Sequence, residues 1–110
     1  MRMIYIVEGS TGEYSDNRTW PIAAYESEES AKSHVAAADV WARANGVHGD
    51  LETIRYYYDS REQLANPFDS GMTVDYTGVW YCYYGVEFRE SFELPQSVDA
   101  VDPAEGRVTD

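Results

Sequence analysis

Between Ser27 and Gly46 the chain carries one stripe of small and apolar side chains at helical spacing: Ala31, His34, Val35, Ala38, Trp41 and Ala42. Residues that recur at three and four lie on one face of an α-helix. Ser27 can cap the first free backbone N–H groups, Glu28 and Glu29 sit at the positive end of the dipole, and Gly46 can end the helix. Glu28 with Lys32 and Asp39 with Arg43 form i,i+4 pairs on the opposite face. The alanines let such a helix lie close against a sheet, so the rest of the chain is read for strands.

Residues 3 to 8, Met-Ile-Tyr-Ile-Val-Glu, are β-branched and aromatic and are closed by Gly9. Both faces of that segment are apolar, which places it centrally in a sheet. The run from Gly9 to Arg18 is dense in turn formers, and Trp20 to Tyr25 resumes a strand pattern in which Pro21 belongs at the start or on an edge. A long-looped hairpin follows. After a cap at Asp50, the spacing of Leu51, Ile54 and Tyr58 predicts a shorter second helix, and Ser60 to Gln63 has capping-box spacing for a further turn. Asn66 to Gly71 is a loop, because Pro67 biases Asn66 away from helical angles.

From Val79 to Phe88 the chain alternates again. Trp80, Cys82, Tyr84, Val86 and Phe88 share one face and suit the core, leaving Val79, Tyr81, Tyr83, Gly85 and Glu87 on the other. The expected fold is α+β: a small antiparallel sheet of about three strands with two helices on one face, in the order β-β-α-α-β. Residues 1–94 form the single domain, and the acidic tail 95–110, poor in large apolar groups, is expected to be frayed.

At 110 residues the chain is long enough for one core. Twenty Asp and Glu against eight Lys and Arg give a formal charge of −12. Such a surface disfavours direct binding to nucleic acid, anionic membrane or nucleotide phosphate and favours a partner with a basic surface. The same excess, with Lys32 the only lysine, also suits a protein that stays hydrated in high salt. Cys82 is the only cysteine, so an intrachain disulfide is excluded, and a reducing cytoplasm is the expected compartment.

Motifs for chemistry are lacking. The Gly9 to Gly12 turn has no following lysine and leads into Glu13, Asp16, Trp20 and Pro21 where a phosphate cradle would open a helix. His34 and His48 have no second histidine or cysteine at zinc spacing, and His34 reads as a boundary residue bonded to a backbone carbonyl. The serines stand in no nucleophile elbow, and Glu26, Glu28 and Glu29 are explained by the start of the helix. No enzyme activity, cofactor or metal is therefore expected.

The candidate contact residues are Glu13, Tyr14 and Asp16 on the hairpin loop, with Tyr81 and Tyr83 either on an open phenol face bordered by Asp75 and Glu87 or in the core beneath the second helix. Loops on a rigid hairpin are common recognition points, and tyrosine offers large area with little entropy loss. Tyr81 and Tyr83 could also pair with their own copies in a twofold dimer. An alternative is an aromatic pocket for a small ligand, lined by Tyr5, Trp20, Trp41 and Tyr84.

The stretch Ile4-Tyr5-Ile6-Val7-Glu8-Gly9-Ser10-Thr11-Gly12-Glu13-Tyr14-Ser15-Asp16, with Arg18, Trp20 and Ala24-Tyr25, resembles the opening of a group of small proteins encoded by tailed phages and prophages. Asp75-Tyr76-Thr77-Gly78 before a tyrosine-rich strand is similar to the same group. The resemblance brings no activity with it. It implies a phage accessory protein acting in the host cytoplasm, a class that includes inhibitors of host nucleases and defence proteins. Non-enzymatic modulation of a host nucleic-acid-handling protein is thus the expected function.

Overall fold

The hairpin and the alternating third segment assemble into one antiparallel sheet. In a computed structural model describing residues 1–55, 64–74 and 76–94, β1 runs Met3–Thr11, β2 Arg18–Tyr25, α1 Glu28–Ala44 and β3 Val79–Glu87. The strand order is β2-β1-β3, so the doubly apolar first strand is central as its composition requires. Pro21 falls on the edge strand β2, beside a bulge at which the register with Val7 and Glu8 shifts.

Helix α1 forms for the local reasons its sequence contains. Ser27 accepts a hydrogen bond from the Ser30 N–H at 3.1 Å, Glu28 and Glu29 occupy the first turn, and Gly46 leaves the helix with φ 76°. Ala31, Ala38 and Ala42 are fully buried against the sheet, and the core centres on Ala38, Ala42, Val47, Val79 and Tyr81. The expected i,i+4 acids serve other partners. Glu28 accepts from the Tyr83 hydroxyl at 2.9 Å, and Asp39 accepts from His48 Nε2 at 3.0 Å.

Four expectations change. First, β1 runs through Gly9 to Thr11, because Trp20 of β2 folds its ring over Gly9: a Cβ there would lie 2.7 Å from the indole. Second, Asp50 caps no helix. Its carboxylate takes the Arg43 guanidinium at 2.8 Å, and the Arg55 N–H returns to the Gly46 carbonyl at 2.7 Å, so residues 50–55 turn without helical bonding. Tyr58 and the Ser60 to Gln63 box lie outside the described residues, and the described order is β-β-α-β.

Third, the faces of β3 are reversed from the expected assignment. Val79 and Tyr81 are buried under α1, whereas Trp80, Tyr84, Val86 and Phe88 are 42%, 44%, 42% and 38% exposed. The register explains it: Val79 pairs with Thr11, Tyr81 with Gly9 and Tyr83 with Val7, the β1 residues turned to the helix. Trp80, Tyr84 and Val86 lie beside Ser10, Ile6 and Ile4 on the opposite, open face. Fourth, Tyr5, Trp20, Trp41 and Tyr84 do not line one pocket. Trp20 and Trp41 pack on the helix-side core, while Tyr84 stands on the other face.

Candidate protein-binding site

The hairpin tip is built by two residues that position a third. Gly12 has φ 90°, a left-handed conformation suited to glycine, and a Cβ on it would come within 2.2 Å of the Asp16 carbonyl oxygen. Asn17 then ties the loop down, its Nδ2 donating to the carbonyls of Thr11 at 3.4 Å and Gly12 at 3.3 Å. Between them Glu13 to Asp16 closes a single 3-10 turn, with Asp16 N–H donating to Glu13 O at 2.9 Å.

Tyr14 is the consequence. Its φ of 53° makes it the one described non-glycine residue in the left-handed region, and its side chain is 93% exposed. That conformation costs an L-residue ~1–2 kcal/mol. A large phenol held out in water on a strained backbone, with exposed Glu13 and Asp16 at its sides, stabilises nothing inside the fold. It suits the anchor of an interface.

The tip rests on a distant segment. Thr11 Oγ1 donates to the Gly78 carbonyl at 2.6 Å, and the Gly12 N–H donates to Thr77 Oγ1 at 3.0 Å. Thr11–Gly12 at the hairpin tip and Thr77–Gly78 before β3 are therefore joined in space. Tyr76, next to Thr77, adds a second phenol at 62% exposure that the sequence pattern did not single out. Its signal was present in the Asp-Tyr-Thr-Gly run, but nothing local linked that run to the hairpin.

The remaining candidates part company with the tip. Tyr81 is 8% exposed and cannot serve as a contact residue, which corrects its assignment to an open face. Its hydroxyl donates to Asp69 Oδ2 at 2.8 Å and accepts from Asn66 Nδ2 at 3.1 Å. Burial first, then the Asp69 hydrogen bond and charge, push the phenol well above its ordinary range. Tyr83 is half-buried, edge-on to Tyr5 with centroids 6.5 Å apart, and its bond to Glu28 raises its pKa. Glu87 is exposed beside Arg89 at 3.1 Å, at the end of β3 away from the tip. Asp75 lies outside the described residues.

The histidines are held structurally. The Phe68 carbonyl can only accept, so His34 Nε2–H donates to it at 2.7 Å and Nδ1 accepts from the Tyr25 hydroxyl at 2.8 Å. His48 is buried; its Nδ1 accepts from the Asp50 N–H at 3.0 Å, which leaves the Nε2–H to donate to Asp39. The exposed Cys82 thiol has its pKa raised by partial burial and by Glu8. Among the described residues no group of three or more His, Cys, Asp or Glu could hold a metal ion, and no helix is long and apolar enough to cross a membrane. No protein-family model, curated protein or solved structure matches the chain.

Proposed function

We propose that this chain is a non-enzymatic protein-binding accessory module, a phage-type modulator or inhibitor of a host nucleic-acid-handling or defence protein in the host cytoplasm. The observation that carries the reading is Tyr14: a phenol 93% exposed at positive φ, braced by Gly12 and Thr77 and flanked by two carboxylates. Tyrosine supplies the desolvated anchor, and Glu13 and Asp16 supply charge for a basic partner. The phage and inhibitor parts of the reading rest on the sequence resemblance alone.

The formal charge of −12 makes the association electrostatically steered, so it should weaken as salt rises. The test is capture from a bacterial lysate on immobilised full-length chain over a sodium chloride series, alongside Tyr14→Ala and a Glu13→Gln/Asp16→Asn pair. Both variants keep the described core. A bound protein that elutes with salt and is lost from both variants supports the proposal; the same proteins on wild type and variants, or capture indifferent to salt, overturns it.

A further inference from the structure

Hydrogen bonding among the described residues shows which side of β3 faces away from β1. On the side away from β1, the Val79 N–H donates to Val47 O at 2.8 Å and the Val79 carbonyl accepts from the Gly49 N–H at 3.0 Å. Past the other end of the strand, the Phe88 N–H turns the opposite way and donates to Arg2 O at 2.8 Å. Backbone direction alternates along an antiparallel strand. Trp80, Cys82, Tyr84 and Val86 therefore bond β1, while Tyr81, Tyr83, Gly85 and Glu87 turn their N–H and C=O groups outward. Among the described residues no backbone group meets those four.

The two sheet edges are not equivalent. Edge β2 contains Pro21 and a bulge, both of which blunt strand addition. Edge β3 has no proline, no lysine and no shift of register from Val79 to Glu87. Its outward-facing stretch, Tyr81 to Glu87, is centred on Tyr84.

We propose that β3 pairs antiparallel with β3 of a second copy about a twofold axis at Tyr84, joining two sheets into one of six strands. In that register Tyr83 lies opposite Gly85 of the partner subunit. On the open face Cys82 lies opposite Val86 of the partner subunit and Tyr84 opposite Tyr84 of the partner subunit. Apolar and aromatic pairs of this kind are the stabilising unit of a sheet.

Charge is mixed in the same register: Arg89, paired with Glu87 at 3.1 Å, comes to the Gly49–Asp50 end of the other strand, where Asp50 is 51% exposed and already takes Arg43 at 2.8 Å. Area sets the strength. Trp80, Tyr84 and Phe88 would each bury ~150–250 Å² if fully covered, and about two-fifths of each is available. Together they leave a few hundred Å² per copy, below the ~800 Å² per partner of a standard interface, so the dimer is reversible. Repulsion between two chains of −12 opposes it at low salt. Since the screening length falls from ~30 Å at 0.01 M to ~3 Å at 1 M, pairing should strengthen as salt rises, opposite in sign to docking on a basic partner.

Sedimentation velocity of the full chain should show a species of twice the chain mass that gains population with salt. Tyr84→Glu sets two carboxylates face to face on the axis and should leave monomer at every salt; the site is 44% exposed, so the fold tolerates it. Val86→Cys tests the register directly. Cys82 and position 86 of the partner subunit would form a non-hydrogen-bonded pair with Cα atoms ~4.5 Å apart, within disulfide reach. Within one chain the same two positions are ~14 Å apart along the strand and cannot join. With diamide as oxidant, Val86→Cys should give a covalent dimer while wild type, bearing only Cys82, should not. Monomer at all salts, a dimer that weakens with salt, a dimer indifferent to Tyr84→Glu, or equal cross-linking of wild type would each overturn the proposal.

Discussion

Asp69→Ala removes the acceptor on which both edge strands converge. The carboxylate is 2% exposed and takes the Trp20 indole N–H at 3.0 and 3.1 Å, the Tyr81 hydroxyl at 2.8 Å and the Gly71 N–H at 3.1 Å. Trp20 and Tyr81 pair with Gly9 from opposite sides, so the side-chain gap at Gly9 is where the 66–71 loop descends onto the sheet. On truncation the Tyr81 hydroxyl stays buried without its acceptor, at ~1–3 kcal/mol. Trp20 is half-buried and Gly71 exposed, so water can replace the acceptor there, at about 1 kcal/mol each. The expected loss is roughly 3–5 kcal/mol, a large share of the ~5–15 kcal/mol typical of a domain. Urea unfolding followed by tryptophan fluorescence measures it, and a cycle with Tyr81→Phe apportions it: removing the donor along with the acceptor should recover ~1 kcal/mol or more. A loss below ~1 kcal/mol, or strict additivity in the cycle, would refute the claim that this buried carboxylate organises the loop.

Two further outcomes follow from the same region. Because the Tyr81 phenol titrates higher in the folded than in the unfolded chain, its contribution is complete below pH ~10 and is lost as pH rises above that, at about 1.4 kcal/mol per pH unit. Alkaline urea titrations should show that Tyr81→Phe lacks this slope; parallel wild-type and variant curves would count against it. Gly9→Ala places a Cβ 2.7 Å from the Trp20 ring and should cost ~1–3 kcal/mol by overpacking. Thermal unfolding should show most of that cost vanish when Trp20→Leu is added, and no relief would assign it elsewhere.

The helix was legible because its determinants are local: Ser27 caps Ser30, the alanine stripe repeats every three or four residues, and Gly46 takes a positive φ. The central place of β1 followed from apolar residues on both faces. The direction of β3 did not, since aromatic residues occupy both of its faces and alternation specifies a period without an inside. Non-local partners decide it: Gly9 makes room for Tyr81, and Asp69, a loop residue with nothing local to mark it, holds the hydroxyl. The expected helix start at Asp50 met a similar limit, because that carboxylate is engaged by Arg43. At the tip, the exposure of Glu13, Tyr14 and Asp16 could be read from the turn formers around them. That Thr77 and Gly78 brace the tip could not, being a contact across more than sixty residues.

The acid excess then has a physical role whether or not a basic partner exists. A sheet with helix α1 on one face leaves Trp80, Tyr84 and Val86 beside Ile4 and Ile6 on the other, and β3 adds an unblunted edge. Neutral chains with such an edge tend to associate without limit. Here the −12 charge opposes contact at any distance within the screening length, and it is carried in part on Glu26, Glu28 and Glu29 at the start of the helix that covers the sheet. Tyr83 links Glu28 to the β3 edge at 2.9 Å, so repulsion acts where two edges would meet. The two proposed associations then respond to ionic strength in opposite ways: a basic partner at the Tyr14 tip would be favoured when salt is low, a second copy at Tyr84 when salt is high. Neutralising Glu28 and Glu29 to Gln should therefore move the onset of self-pairing to lower salt while leaving capture through Tyr14 in place. If both associations shifted together, the tip and the edge would not be separate surfaces.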